Sequence, residues 1–130
     1  MLTRISHETF RDTRGLLSVF DLSTEFADFK RVFLTSCGGV GITRGGHAHR
    51  VQKQIFFAIQ GSFEIAFDSK EDSGTLILEP ESDGVLIPNL CWSTQTPLSD
   101  NAVLLVFASG VYDEKEYIRD LSEFEKVLND

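Results

Sequence analysis

No stretch of this chain is rich in lysine or arginine. Its 12 basic residues are scattered among 20 acidic ones, for a net charge of −8. A nucleic-acid-binding surface needs a basic face, so a nucleic acid polymer is not expected as partner. A phosphorylated small molecule is still allowed, because a few local arginines suffice to hold a diphosphate. Long hydrophobic runs are also missing. The longest, NAVLLVFASGV at 101–111, is far too short to cross a bilayer, and no membrane association is expected. The opening residues, MLTRISHETF, lack the apolar centre of an export signal, so a cytoplasmic location is expected. Cysteine is scarce: Cys37 and Cys91 stand singly among apolar or small residues. Reduced, buried thiols are expected, not a disulfide framework.

What is present is a succession of short apolar runs broken by turn signals. KRVFLTS (30–36) reads as a strand before the breaker CGGVG. KQIFFAIQG (53–61) and SFEIAFDS (62–69) read as two strands meeting near Gly61. TLILEP (75–80) and VLIP (85–88) follow, each after a turn, and LLSVFDL (16–22) alternates in part. The continuous run at 101–109 suits a strand buried on both faces. Turn signals every 8 to 12 residues are the pattern of a sandwich or barrel. Only the tail differs. Tyr117, Ile118, Leu121, Phe124, Val127 and Leu128 fall at helical spacing, with Asp113 and Glu114 near the start of the segment. The expected architecture is one all-β domain, 1–130, with a short C-terminal helix packed on it.

Histidine is scarce too: there are three, and two of them, His47 and His49, lie two apart in TRGGHAHRVQKQ. On a strand, residues i and i+2 share a face, so the two imidazoles would project together. Metal ligation, proton transfer and an ordinary structural role are the three readings. The neighbours form the string G-x5-H-x-H-x4-Q-x6-G, from Gly41 through Gln54 to Gly61. This resembles the first motif of the cupin superfamily, G-x5-H-x-H-x3,4-E-x6-G, with Gln54 in place of the glutamate. GVLIPNLCW (84–92) resembles the second motif in Gly84 and Pro88, but no histidine follows His49 anywhere. Two of the four ligands of a metal-binding cupin are therefore absent, and a neutral amide is a poor substitute for carboxylate. No metal or other cofactor is expected. Acid–base work by the histidine pair is the leading alternative.

RGGHAHR, Trp92 and VLLVFASGVYDEKEYIRDLSEF (103–124) together resemble the dTDP-4-keto-6-deoxyhexose 3,4-ketoisomerases, which are small WxcM-like cupins. The resemblance runs from about Arg31 to Phe124. It implies a cupin-type jelly-roll barrel (a double-stranded β-helix), a homodimer, and a role in bacterial surface-polysaccharide biosynthesis. The implied substrate is a dTDP-linked keto-deoxy sugar whose ketone moves from C4 to C3 without metal. By the same resemblance His49 is the essential base and His47 its assisting partner. Arg44 would hold the diphosphate or steady the developing oxyanion. Gln54 would hydrogen-bond the sugar or a histidine or serve structure alone, and Trp92 would stack on the thymine, close the barrel mouth or pack in the core. One departure stands out. The family carries tyrosines on the strand before the motif, where this chain has Phe33, Leu34 and Ser36; its only tyrosines are Tyr112 and Tyr117. That leaves two other readings open: a related dTDP-ketosugar epimerase, or a sugar-nucleotide-binding cupin without catalysis.

Overall fold

A computed structural model describes residues 2–21, 28–36 and 38–130. Cys37 and the end of the LLSVFDL segment lie outside them. Twelve strands are described: β1 (Arg4–Ile5), β2 (Glu8–Asp12), β3 (Gly15–Val19), β4 (Arg31–Ser36), β5 (Arg44–His49), β6 (Gln54–Gln60), β7 (Phe63–Ser69), β8 (Ser73–Leu78), β9 (Gly84–Ile87), β10 (Cys91–Pro97), β11 (Val103–Ala108) and β12 (Tyr117–Ile118). A helix, α1 (Leu121–Asn129), closes the chain.

Two five-stranded antiparallel sheets hold most of these strands, in the orders β1-β9-β6-β11-β4 and β12-β5-β10-β7-β8. From β4 onward the chain passes back and forth between them, apart from the β7–β8 hairpin within the second sheet, and so winds as a jelly roll. The main core lies between the sheets: Phe56, Ala58, Leu104 and Val106 from one meet Phe63, Ile65, Leu78 and Cys91 from the other. The run at 101–109 is covered on both faces, as its unbroken apolar character predicts. Leu104 and Val106 enter the main core, while Leu105 and Phe107 join Ile55 and Phe57 in a second cluster outside it. β6 is built the same way and lies between β9 and β11. The turn at Gly61 joins β6 to β7. Its φ of +64° suits glycine, and a Cβ there would meet Ala102 Cβ at 2.9 Å.

The tail corrects the expectation at two points. Tyr117 and Ile118 are not helical: they form β12, which pairs with β5 in the register Tyr117↔His49 and Ile118↔Ala48. Asp113 does not begin α1; its side chain accepts from Lys115 N and caps a single 3-10 turn, Glu114–Glu116. The helix starts at Leu121 because Asp120, in extended conformation, accepts from Ser122 N and ends the preceding strand. Apolar spacing alone could not reveal this break, because Tyr117 and Ile118 happen to continue the helical period. α1 buries Phe124 against Trp92, Ala48 and Ile118 on the outer face of the second sheet. His7 stacks on Phe20 at 4.9 Å and meets the Phe57 ring edge-on at 4.8 Å.

β2 and β3 form a separate two-stranded ribbon. Phe10, Leu17 and Val19 on it are exposed, as are Val32 and Leu34 on the edge strand β4.

Candidate active site

β4 explains why one end of the barrel is open. Its side chains alternate: Val32 and Leu34 face out, while Phe33 and Thr35 face a cavity of about 440 Å³. Phe33, Phe56, Leu104 and Val106 give one wall of that cavity an apolar surface. The opposite wall is polar, with Arg44, His47, Gln95 and Tyr117 from the second sheet, and Arg119 just beyond β12. A dry wall facing converging polar groups is the usual form of a small-molecule site.

β5 delivers the histidines through a close approach to β10. Gly45 has φ +87°, and a Cβ on it would sit 2.9 Å from the carbonyl oxygen of Ser93. Only glycine fits there without moving backbone. The register between β5 and β10 shifts at this place, between Ser93 and Thr94. Beyond the irregularity His47 pairs with Ser93, and its ring faces the cavity.

His47 and His49 are brought together, as the strand period requires. Their ring centroids are 5.3 Å apart with planes at 85°. His47 forms part of the wall, and His49 lies one layer deeper, 4% exposed. His47 Nδ1 and both nitrogens of His49 are buried without a hydrogen-bond partner among the described residues. Burial disfavours the imidazolium form. It is the main reason the His47 pKa falls from 6.5 to about 4, with the neighbouring His49 and Arg119 adding to the effect and Glu114 opposing it. His49 is lowered in the same direction, again chiefly by burial; Glu116 opposes this, and Arg31 and Arg119 add to it. Both rings are therefore neutral at pH 7 and able to accept a proton. Cys91 offers no competing nucleophile: burial raises its thiol to about 11, so the reactive thiolate is scarce at neutral pH.

Arg44 and Gln54 also reach the cavity, the first exposed and the second buried at 4% exposure. Trp92 does not. Side chains alternate along β10, so Ser93 and Gln95 turn inward and Trp92 turns outward, where its ring meets Phe124 of α1 at 5.5 Å. Of the readings of Trp92, packing is the one observed: its ring lies beneath the helix and does not line this cavity. Sequence reasoning also missed three cavity residues, Gln95, Tyr117 and Arg119. The signal for the last two was the YIR ending itself, which had been absorbed into the helical pattern.

The donors present do not fit a cupin metal. Gln54, which lines the cavity with His47, offers only a neutral amide, and no three His, Cys, Asp or Glu side chains converge among the described residues.

A jelly roll with a histidine pair at a cavity between its two sheets is the arrangement of a cupin-type site. The family described as FdtA: WxcM-like, C-terminal, matches residues 2–129. The chain belongs to that family. It is 26% identical over 125 residues to the TDP-4-oxo-6-deoxy-alpha-D-glucose-3,4-oxoisomerase of Aneurinibacillus thermoaerophilus, covering 95% of this chain and 90% of that one. Among solved structures, it is similar to a 3,4-ketoisomerase from Helicobacter canadensis, at 31% identity and a TM-score of 0.84, covering 98% of this chain and 97% of that one. It is also similar to a histidine-to-asparagine mutant of the 3,4-ketoisomerase QdtA from Thermoanaerobacterium thermosaccharolyticum. Identity there is 27% and the TM-score 0.88, with 98% of this chain and 94% of that one covered. That mutant is in complex with TDP-4-keto-6-deoxyglucose.

Proposed function

We propose that this chain is a metal-independent 3,4-ketoisomerase acting on a dTDP-linked 4-keto-6-deoxyhexose. The observation that carries the reading is the neutral histidine pair at a cavity with one dry wall, in a chain of this family. Moving a ketone from C4 to C3 needs two kinds of proton transfer. A base takes the proton from C3, next to the carbonyl, and the electron pair moves to give an enediol-type intermediate. A proton then returns at C4, and the proton of the C3 hydroxyl passes to the C4 oxygen, so that C3 becomes the ketone and C4 the hydroxyl. His49 acts as the base and His47 as its partner. A cation at the cavity mouth can steady the negative charge that develops on oxygen. The same assignment places the work in bacterial surface-polysaccharide assembly, with the soluble substrate met in the cytoplasm, by a single domain spanning 1–130.

Arg44 is the residue proposed to meet the diphosphate. A ligand that binds only the folded state raises the melting temperature by mass action. dTDP should therefore raise it, and Arg44→Ala should shrink that rise while leaving the ligand-free melting temperature within a degree or two. Scanning fluorimetry with and without dTDP reads both. An undiminished rise in the variant would remove Arg44 from the diphosphate site.

The partner we propose is a second copy. A two-stranded ribbon is marginal on its own in water, and the β2–β3 ribbon pairs with no other strand among the described residues. Its exposed Phe10 and Leu17, and the exposed Val32 and Leu34 on β4, would be covered by self-association. Sedimentation at micromolar concentration should give twice the chain mass; a monomer would reject this part of the reading.

A further inference from the structure

The segment Tyr112–Arg119 is the least explained part of the site. It carries no residue of the cupin motif, yet it is bound to the histidine strand at several points. β12 pairs with β5 with Tyr117 opposite His49. Just past the histidines, Arg50 N donates to the carbonyl of Glu116 at 3.0 Å. The Glu116 carboxylate accepts from the backbone N–H groups of both Val51 and Gln52. The Gln52 side chain in turn donates to the carbonyl of Val111 at 2.9 Å.

The side chains form a second set of contacts facing the cavity. The Tyr117 ring lies 4.9 Å from the ring of His47 and 4.6 Å from that of His49. The guanidinium of Arg119 sits over the Tyr117 ring, 4.3 Å from its centroid. Glu114 holds that guanidinium at 2.8 Å and also accepts from the Tyr112 hydroxyl. Catalytic histidines are commonly oriented by a carboxylate or carbonyl on the second ring nitrogen. Here Nδ1 of both rings meets no protein acceptor among the described residues. Among the described residues, the ring in contact with both imidazoles is that of Tyr117.

We propose that Tyr117 is a positioning residue: its ring, clamped by Arg119 and Glu114, fixes both imidazoles and shuts water away from them in place of a hydrogen-bonded orienting group. The inference rests on the ketoisomerase reading for its consequence in turnover, but not for its effect on the imidazoles themselves. The ring face does this work, so the hydroxyl is dispensable to it. The brace also sets the charges that the pair feels. Arg119 and Glu114 act on His47; Glu116, Arg31 and Arg119 act on His49, with Arg44 further along β5. Gln54 and Gln95 face the same cavity from β6 and β10 and carry no charge.

The test compares Tyr117→Phe with Tyr117→Leu in the full chain, using nitrogen-15 NMR to titrate His47 and His49 without substrate. Tyr117→Phe should leave both titrations close to the parent's. Tyr117→Leu opens the pair to water, so both imidazoles should titrate at higher pH, moving toward 6.5, with an unchanged fold by circular dichroism. In turnover, Tyr117→Phe should keep kcat within about threefold, and Tyr117→Leu should lose about tenfold or more in kcat with little change in KM. The acid limb of its kcat/KM profile should move to higher pH. A Tyr117→Leu protein that keeps the parental histidine titrations would overturn the proposal. So would a Tyr117→Phe protein as impaired in kcat as Tyr117→Leu, since the hydroxyl would then be the working group. If Tyr117→Leu does not fold, Tyr117→Met keeps a long apolar side chain and faces the same titration test. If no variant or parent turns over, the titrations still decide the positioning role, and the failure belongs to the ketoisomerase reading.

Discussion

His49→Asn should fold, bind dTDP and fail to move the ketone. Asparagine keeps approximate shape and some hydrogen bonding but cannot take a proton. Loss of one positioned general base costs about 10²- to 10⁴-fold in rate, well within the range of an NMR assay. His47→Asn should slow turnover less. The structure makes this contrast informative, because His47 is the ring that lines the cavity and His49 the one behind it. If proximity to the cavity decided the roles, the two variants would exchange their effects. A larger loss in His47→Asn would therefore reverse the assignment of base and partner without removing the pair from the chemistry.

The pair also sets a pH dependence. Both folded-state pKa values lie below the ordinary histidine value, so folding favours the neutral rings. Their contribution to stability is complete above 6.5. It is lost as the pH falls from 6.5 toward about 4, where the unfolded chain takes up protons that folded His47 refuses. The base-competent form persists over the same window, which places the acid limb of activity below 6.5.

Phe124→Ala should be the most destabilising single change in the C-terminal part of the chain. Phe124 is 1% exposed and is the only buried residue of α1. Its ring meets Trp92 and fills the space over Ala48 and Ile118, both fully buried. Removing a buried phenylalanine side chain commonly costs about 3–5 kcal/mol, part transfer and part cavity. Ala48 stands between the two histidines and Ile118 next to Tyr117, on the opposite face of their strands. Loosening this cluster loosens the backing of the site as well as the helix. The urea midpoint should fall accordingly, and Phe124→Leu should recover most of the loss. A cost below about 1 kcal/mol for Phe124→Ala would mean that α1 does not anchor the outer face of the sheet.

The fold was largely legible because its signals are local. Apolar runs at 53–61, 62–69 and 101–109 carry strand chemistry with turns between them, and they hold the strands Gln54–Gln60, Phe63–Ser69 and Val103–Ala108. β10 was harder to see: Cys91–Pro97 is rich in polar side chains, and its strand character comes from pairing with both β5 and β7. The histidine pair was legible from a period of two and a glycine-framed string. Tyr117 and Arg119 were not, because their place depends on β12 pairing with a strand some 70 residues earlier. The place of Trp92 stayed open for the complementary reason: alternation along β10 decides which face it takes, and β10 itself was not foreseen.

The measurement that tests the account most directly is incubation of the protein with dTDP-4-keto-6-deoxyglucose in heavy water, followed by NMR. The account predicts that the ketone signal moves from C4 to C3 and that deuterium enters the sugar ring at C4. Unchanged substrate with no deuterium at C3 or C4 would contradict it and leave a binding cupin. Deuterium at C3 and C5 with the ketone still at C4 would contradict it in favour of an epimerase.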